Sequence, residues 1–199
     1  MAEHRLLITG FEPFADIQEN PSEQLGRMVA DDRQAIFRLL PVDCVNAPKI
    51  LKRELFDVRP SFVLCLGASR QLSEATIGIE RVALNLLDFS IADNTGARPQ
   101  DQPIVSGGPP ALFCHLPIRQ TVEFLQNKGY QAHVSLSAGA YLCNQVMYYC
   151  LLWENGFSMQ SAFIHVPVQP KARLKNTAEA IHACLDLWLD KGPALEDLR

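Results

Sequence analysis

Ser61-Phe62-Val63-Leu64-Cys65-Leu66-Gly67 is a continuous apolar run that stops at a glycine. Continuous rather than alternating hydrophobicity is the pattern of a strand buried on both faces, which requires helices above and below a mostly parallel sheet. The same alternation of elements extends outward from that run. Arg5-Leu6-Leu7-Ile8-Thr9 reads as a second buried strand stopped by Gly10. Residues 21–30 read as a helix, with Asn20 as N-cap and Pro21 at the first helical position. Strands are expected over 35–41, 133–136 and 162–166, and helices over 47–58, 118–127, 140–154 and 176–189. Residues 78–87 are apolar and β-branched, interrupted by Glu80 and Arg81. Residues 91–110, rich in Pro, Gly, Asp and Asn, read as a long loop with room for a short hairpin. The expected architecture is a single-domain α/β/α sandwich over 1–199, with a twisted, mostly parallel central sheet. In such sheets ligands gather at the carboxyl ends of strands.

Composition narrows the function classes. The 199 residues are 48% hydrophobic, and 18 Lys+Arg against 22 Asp+Glu give a net charge of −4. Phosphate backbones demand clustered positive charge, so no nucleic-acid partner is expected. No apolar run approaches the roughly 18 residues that span a bilayer, and Met1-Ala2-Glu3-His4-Arg5 lacks the features of a signal peptide. No membrane association and a cytoplasmic location are expected. The six cysteines, at 44, 65, 114, 143, 150 and 184, include no Cys-x-x-Cys. Their apolar surroundings suit reduced core thiols better than disulfides or structural zinc, and no metal is expected.

Three residues stand out chemically. Cys143 follows the small-residue turn Ser137-Ala138-Gly139-Ala140 and falls in or near the first turn of the next helix. Unpaired N–H groups and the helix dipole there favour a thiolate and could also serve an oxyanion. On position alone, an activated thiol and one more buried helix thiol are about equally good readings. His165 ends a strand before the stiff Val166-Pro167 turn; alone it reads more readily as a hydrogen-bonded core histidine. His4, His115, His133 and His182 are weaker candidates. Glu80 breaks an apolar strand, and because strand neighbours face opposite ways it cannot easily pair with Arg81. It needs a partner elsewhere, and an imidazole would serve. Acid, thiol and imidazole together would supply an orienting group, a nucleophile and a base.

Four blocks then carry a family resemblance. Leu7-Ile8-Thr9-Gly10-Phe11-Glu12-Pro13-Phe14 with Asn20-Pro21, Gly78-Ile79-Glu80-Arg81-Val82-Ala83 with Asn85, Ser137-Ala138-Gly139-Ala140-Tyr141-Leu142-Cys143-Asn144, and Phe163-Ile164-His165-Val166-Pro167 stand in that order. Together they resemble pyroglutamyl peptidase I, a family of cysteine peptidases. The resemblance implies removal of an N-terminal pyroglutamyl residue from peptides without a metal or cofactor. It implies Cys143 as nucleophile, His165 as proton shuttle and Glu80 as the group orienting His165. It also implies a lactam pocket built on Phe11 and Phe14, with Asn20, Gln71 and Leu142 as further substrate-binding residues, and self-association as a homotetramer. The chain departs from the family pattern at Ser90, where an arginine is common, and at Ala92, where a proline is common. That departure leaves open a weakly catalytic relative that binds pyroglutamyl or related small acyl-amide ligands.

Overall fold

The structure is a computed structural model and describes residues 5–73, 75–168 and 171–189. His4, Gln169 and Pro170 lie outside the described residues. The strands are β1 (Leu6–Phe11), β2 (Ile36–Leu40), β3 (Phe62–Ser69), β4 (Thr76–Glu80), β5 (Val82–Leu84), β6 (Ala111–Phe113), β7 (Gln131–Ser135) and β8 (Gln160–Pro167). The α-helices are α1 (Pro21–Arg33), α2 (Asn46–Val58), α3 (Ile118–Asn127), α4 (Leu142–Phe157) and α5 (Leu174–Leu189). Among the described residues, six strands form the main sheet in the order β2-β1-β3-β8-β4-β7. Helices α1, α3 and α5 pack on one face, and α2 and α4 on the other. The apolar run that opens β3 is buried from Phe62 through Gly67, as a strand covered on both faces must be.

One junction in the sheet decides where the site forms. β2, β1, β3 and β8 are mutually parallel, and β4 and β7 are parallel to each other, but β4 runs against β8. His165 therefore sits between Gly67 of β3 and Gly78 of β4 in the ladder. Glu80, two residues past Gly78, lies deeper in the sheet than His165 and is 1% exposed.

Residues 78–87 do not form one strand. Glu80 ends β4, and the chain crosses at Arg81 into a separate two-stranded ladder of β5 with β6. Arg81 makes the crossing: its N–H bonds Ser135 in the main sheet, and its carbonyl accepts from Cys114 beside β6. The hairpin allowed for within 91–110 is absent. The loop pairs outward instead, through an isolated bridge of Gln102 to Leu87, and Asp93 folds it from within. The Asp93 carboxylate accepts from the N–H groups of Cys44, Thr95 and Ala97 and from the Thr95 hydroxyl. Element ends elsewhere differ from the pattern by a few residues; β1, for example, runs through Gly10 to Phe11.

Candidate active site

The first turn of α1 fixes one wall. Asn20 caps the helix: its Oδ1 accepts from Ser22 N at 3.0 Å and Ser22 Oγ at 2.8 Å, and its Nδ2 donates to Glu12 O at 3.0 Å. The Ser22 hydroxyl in turn accepts from Phe11 N at 3.0 Å. The end of β1 is thus tied to the start of α1. Between them, Ala15 at φ 50° and the bond from Ile17 N to Phe14 O make a tight turn that presents Phe14.

The first turn of α4 fixes the second wall. Asn144 is fully buried; it donates to the carbonyls of Leu84 and Leu86 and accepts from Leu84 N. Gln145 donates to Cys44 O at 2.9 Å. These bonds hold the helix start in register with the β5 segment and the segment before α2. Tyr141 caps α4 with no side-chain bond to the helix, so the N–H groups of the first turn stay free of side-chain caps. Its ring centre stands 4.3 Å from Phe89 and 6.2 Å from Phe14, and its hydroxyl donates to Ala92 O. Burial, together with negative charge at Asp93 and Cys143, pushes the Tyr141 phenol up to about 12, so it stays a neutral wall.

Between the walls, Glu80, His165 and Cys143 form a line. His165 Nδ1 donates to Glu80 Oε1 at 2.6 Å, and the Cys143 sulfur lies against Gly67, the register neighbour of His165. Burial opposes a charge on His165, but Cys143 as a negative acceptor facing the ring, then Glu80, outweigh it and raise the imidazole to about 10. Cys143 is the second residue of α4 and half-buried. Gly67 makes room for it, since a Cβ there would stand 2.8 Å from the Cys143 sulfur.

Two concavities meet at this line. A small pit holds Cys143 with Phe11, Phe14, Asn20, Leu142 and Tyr141. A larger cleft of about 650 Å³ is lined by Glu80 and His165 together with Arg70, Gln71, Ser90 and His133. Gln71 therefore lies in the cleft and not in the pit with the other substrate-binding candidates. Ser90 is exposed on the cleft wall. Sequence reasoning leaves His133 among the weaker histidine candidates and gives no site role to Tyr141, Arg70 or Gly67. His133 reaches the cleft because its register partner, Gly78, has no side chain. The glycines in two apolar strands were the available signal.

The other cysteines have different surroundings. Cys65, Cys114, Cys150 and Cys184 are buried, and no cysteine is in a disulfide. Burial pushes the Cys114 thiol up to about 12 and the Cys184 thiol well up. Burial and the neighbouring Asp93 carboxylate push Cys44 up to about 11. Among the described residues no group of three or more His, Cys, Asp or Glu side chains is arranged to hold a metal, and no helix is long and apolar enough to cross a membrane.

Comparison with known proteins agrees with the four sequence blocks. The family profile described as pyroglutamyl peptidase matches residues 4–189. The pyrrolidone-carboxylate peptidase of Pyrococcus furiosus is 38% identical over 173 residues, covering 84% of this chain and 82% of its own. That of Yersinia pestis is 40% identical over 173 residues, covering 84% and 80%. Among solved structures, pyrrolidone carboxyl peptidase from Thermococcus litoralis superposes with a TM-score of 0.87 at 34% identity, covering 99% of this chain and 97% of its own. Pyroglutamyl peptidase I from Bacillus amyloliquefaciens gives a TM-score of 0.84 at 27% identity, covering 92% and 95%. With a profile match over residues 4–189 and relatives 38–40% identical along most of its length, the chain belongs to the pyroglutamyl peptidase family.

Proposed function

We infer that the protein hydrolyses the amide bond after an N-terminal pyroglutamyl residue, with Cys143 as nucleophile, His165 as proton carrier and Glu80 as the group that orients His165. The observation that carries this reading is the line Glu80–His165–Cys143, ending where the pit meets the cleft.

The Cys143 sulfur attacks the pyroglutamyl carbonyl carbon, and its proton resides on His165. The carbonyl oxygen becomes an oxyanion beside the uncapped N-terminus of α4, where N–H groups and the dipole stabilise it. His165 then gives its proton to the leaving amine, and the C–N bond breaks. A water deprotonated by His165 cleaves the thioester, releasing pyroglutamate and restoring the thiol. Throughout, the bond from Nδ1 to Glu80 keeps Nε2 as the working nitrogen.

The pit suits a neutral ring. Phe11, Phe14, Tyr141 and Leu142 offer apolar faces and no charge. Asn20 has already spent both lone pairs of Oδ1 on Ser22 and one Nδ2 hydrogen on Glu12. Its second Nδ2 hydrogen is left to donate to the lactam carbonyl. An ordinary N-terminal ammonium would find no acid among the described residues of the pit, which selects for the cyclised residue.

Release of a chromophore from a pyroglutamyl amide tests the reading. The native chain should turn it over, and Cys143→Ala should lose at least about a thousandfold in rate. Hydrolysis that survived Cys143→Ala would end the proposed mechanism, and binding without turnover by the native chain would favour the ligand-binding relative. The resemblance also carries the proposal of a cytoplasmic homotetramer, which light scattering of the purified chain would test for assembly.

A further inference from the structure

The cleft on the His165 side of the site has a charge arrangement that the pyroglutamyl reading does not use. His165 must hand its proton to the leaving amine, so the departing peptide lies in this cleft while the lactam occupies the pit. Among the described residues two acids line the cleft. Glu80 is buried against His165, and Asp16 is ion-paired with Arg70. Arg70 follows the last residue of β3 and Asp16 lies on the loop that carries Phe14, and both line the cleft.

Among the described residues, Arg70 is the one arginine or lysine that lines the cleft. A guanidinium has five N–H groups, and Asp16 engages Arg70 through Nη2. The Arg70 and Asp16 side chains are 56% and 78% exposed, and pairs this exposed are worth little, so an incoming anion can share or displace Asp16. His133 adds a second nitrogen-bearing side chain. Its ring lies over the bare backbone of Gly78, where a Cβ would stand 3.3 Å from Cε1. Gln71 adds an amide.

The geometry points to a leaving-group subsite, centred on Arg70 and regulated by Asp16, that selects pyroglutamyl substrates carrying a carboxylate on the residue released. The carboxylate can be the side chain of Asp or Glu at the second position, or the free terminus of a pyroglutamyl dipeptide. This inference rests on the proposed peptidase reading. Planar, bidentate recognition of a carboxylate is what arginine does and lysine or glutamine does not.

Two matched pairs separate the two sources: pyroglutamyl-aspartate amide against pyroglutamyl-asparagine amide, and pyroglutamyl-alanine against its amide. In low salt the native enzyme should prefer the charged member of at least one pair by about three- to tenfold in kcat/KM, mainly through KM, and added salt should erode the preference. Which pair shows it names the source. Arg70→Gln should bring the ratio to near one, and Asp16→Asn should raise it. Opposite shifts in the two variants cannot come from general damage to the fold. Ratios near one in the native enzyme, or a ratio unchanged in Arg70→Gln, would overturn the subsite. Failure to hydrolyse any of the four compounds would instead overturn the peptidase reading. Calorimetric titration of the same pairs into Cys143→Ala reads the subsite without turnover, with the same expected ratios and the same overturning result.

Discussion

Gly67 of β3 lies beside His165 of β8 in the parallel register, and the space where its side chain would be is taken by the Cys143 sulfur. Thiol and imidazole meet because one strand position between them is bare.

Gly67→Ala therefore tests the packing of the site directly. The new methyl would stand 2.8 Å from the Cys143 sulfur and 2.8 Å from the Phe163 ring, so one of them must move. Overpacking of this kind costs about 1–3 kcal/mol, and most of the displacement should fall on the thiol. Thermal unfolding should show a modest loss while kcat falls more than about tenfold. A fully active Gly67→Ala would show that the thiol does not need this position.

Glu80 acts on the reaction through His165. Glu80→Gln keeps the shape but removes the negative charge behind Nδ1, and kcat should fall by about 10²–10⁴-fold with KM nearly unchanged. The His165 imidazole, raised to about 10 first by Cys143 and then by Glu80, should titrate at lower pH in Glu80→Gln and in Cys143→Ala. Imidazole resonances followed by NMR against pH provide the measurement, and an unshifted titration in both variants would contradict the line of contacts.

Thiol chemistry should be selective. Iodoacetamide near neutral pH should label Cys143 first, because Cys65, Cys114, Cys150 and Cys184 are buried and Cys44 is pushed up to about 11. Peptide mass mapping after brief exposure reads the order, and equal labelling of Cys44 and Cys143 would count against a privileged thiol.

Asn20→Ala removes the α1 cap and the tie to Glu12 together. Stability should fall by about 1–2 kcal/mol, the usual value of a good N-cap. Because the free Nδ2 hydrogen faces a lactam in the proposed complex, KM should rise more than kcat falls. Asn20→Asp keeps the cap but sets a carboxylate oxygen against Glu12 O in place of the donor, so it should recover part of the stability and none of the KM.

Asp93 gives the protein an acid-sensitive loop. Burial raises its carboxyl, but N–H and O–H donors from Cys44, Thr95 and Ala97 outweigh that and hold it at about 2, below the ordinary 3.8. A carboxyl lowered in the folded state contributes stability above its unfolded value and loses it as pH falls through the folded one. The native chain should lose on the order of 1–2 kcal/mol between about pH 4 and pH 2 that Asp93→Asn does not lose. Denaturant midpoints measured across that range, in both proteins, decide it.

Local features were the legible ones. The Asn20 cap and Pro21 start of α1 follow from side chains acting within one turn, and the sequence shows them at the right residues. The buried run of β3 and the small-residue turn before α4 are likewise local. The split of residues 78–87 was not legible, because β4 ends where Arg81 bonds Ser135 and Cys114, distant in sequence. His133 looked like an ordinary strand residue until its register with Gly78 was known. Arg70 carries no signal beyond its charge, and its meaning comes from Asp16 on a separate loop.

Read as a linear chain, the residues yield the layered α/β class, the order of most elements, the family and, through the resemblance, the candidates Glu80, Cys143 and His165. Periodicity, capping and short motifs are written within a few residues, so a linear reading recovers them. Only the tertiary structure decided that β4 runs against β8, placing Glu80 2.6 Å from His165 and Gly67 against the Cys143 sulfur. Strand direction and register are set by contacts between segments far apart in the chain, and those contacts exist only once the sheet has closed around its core.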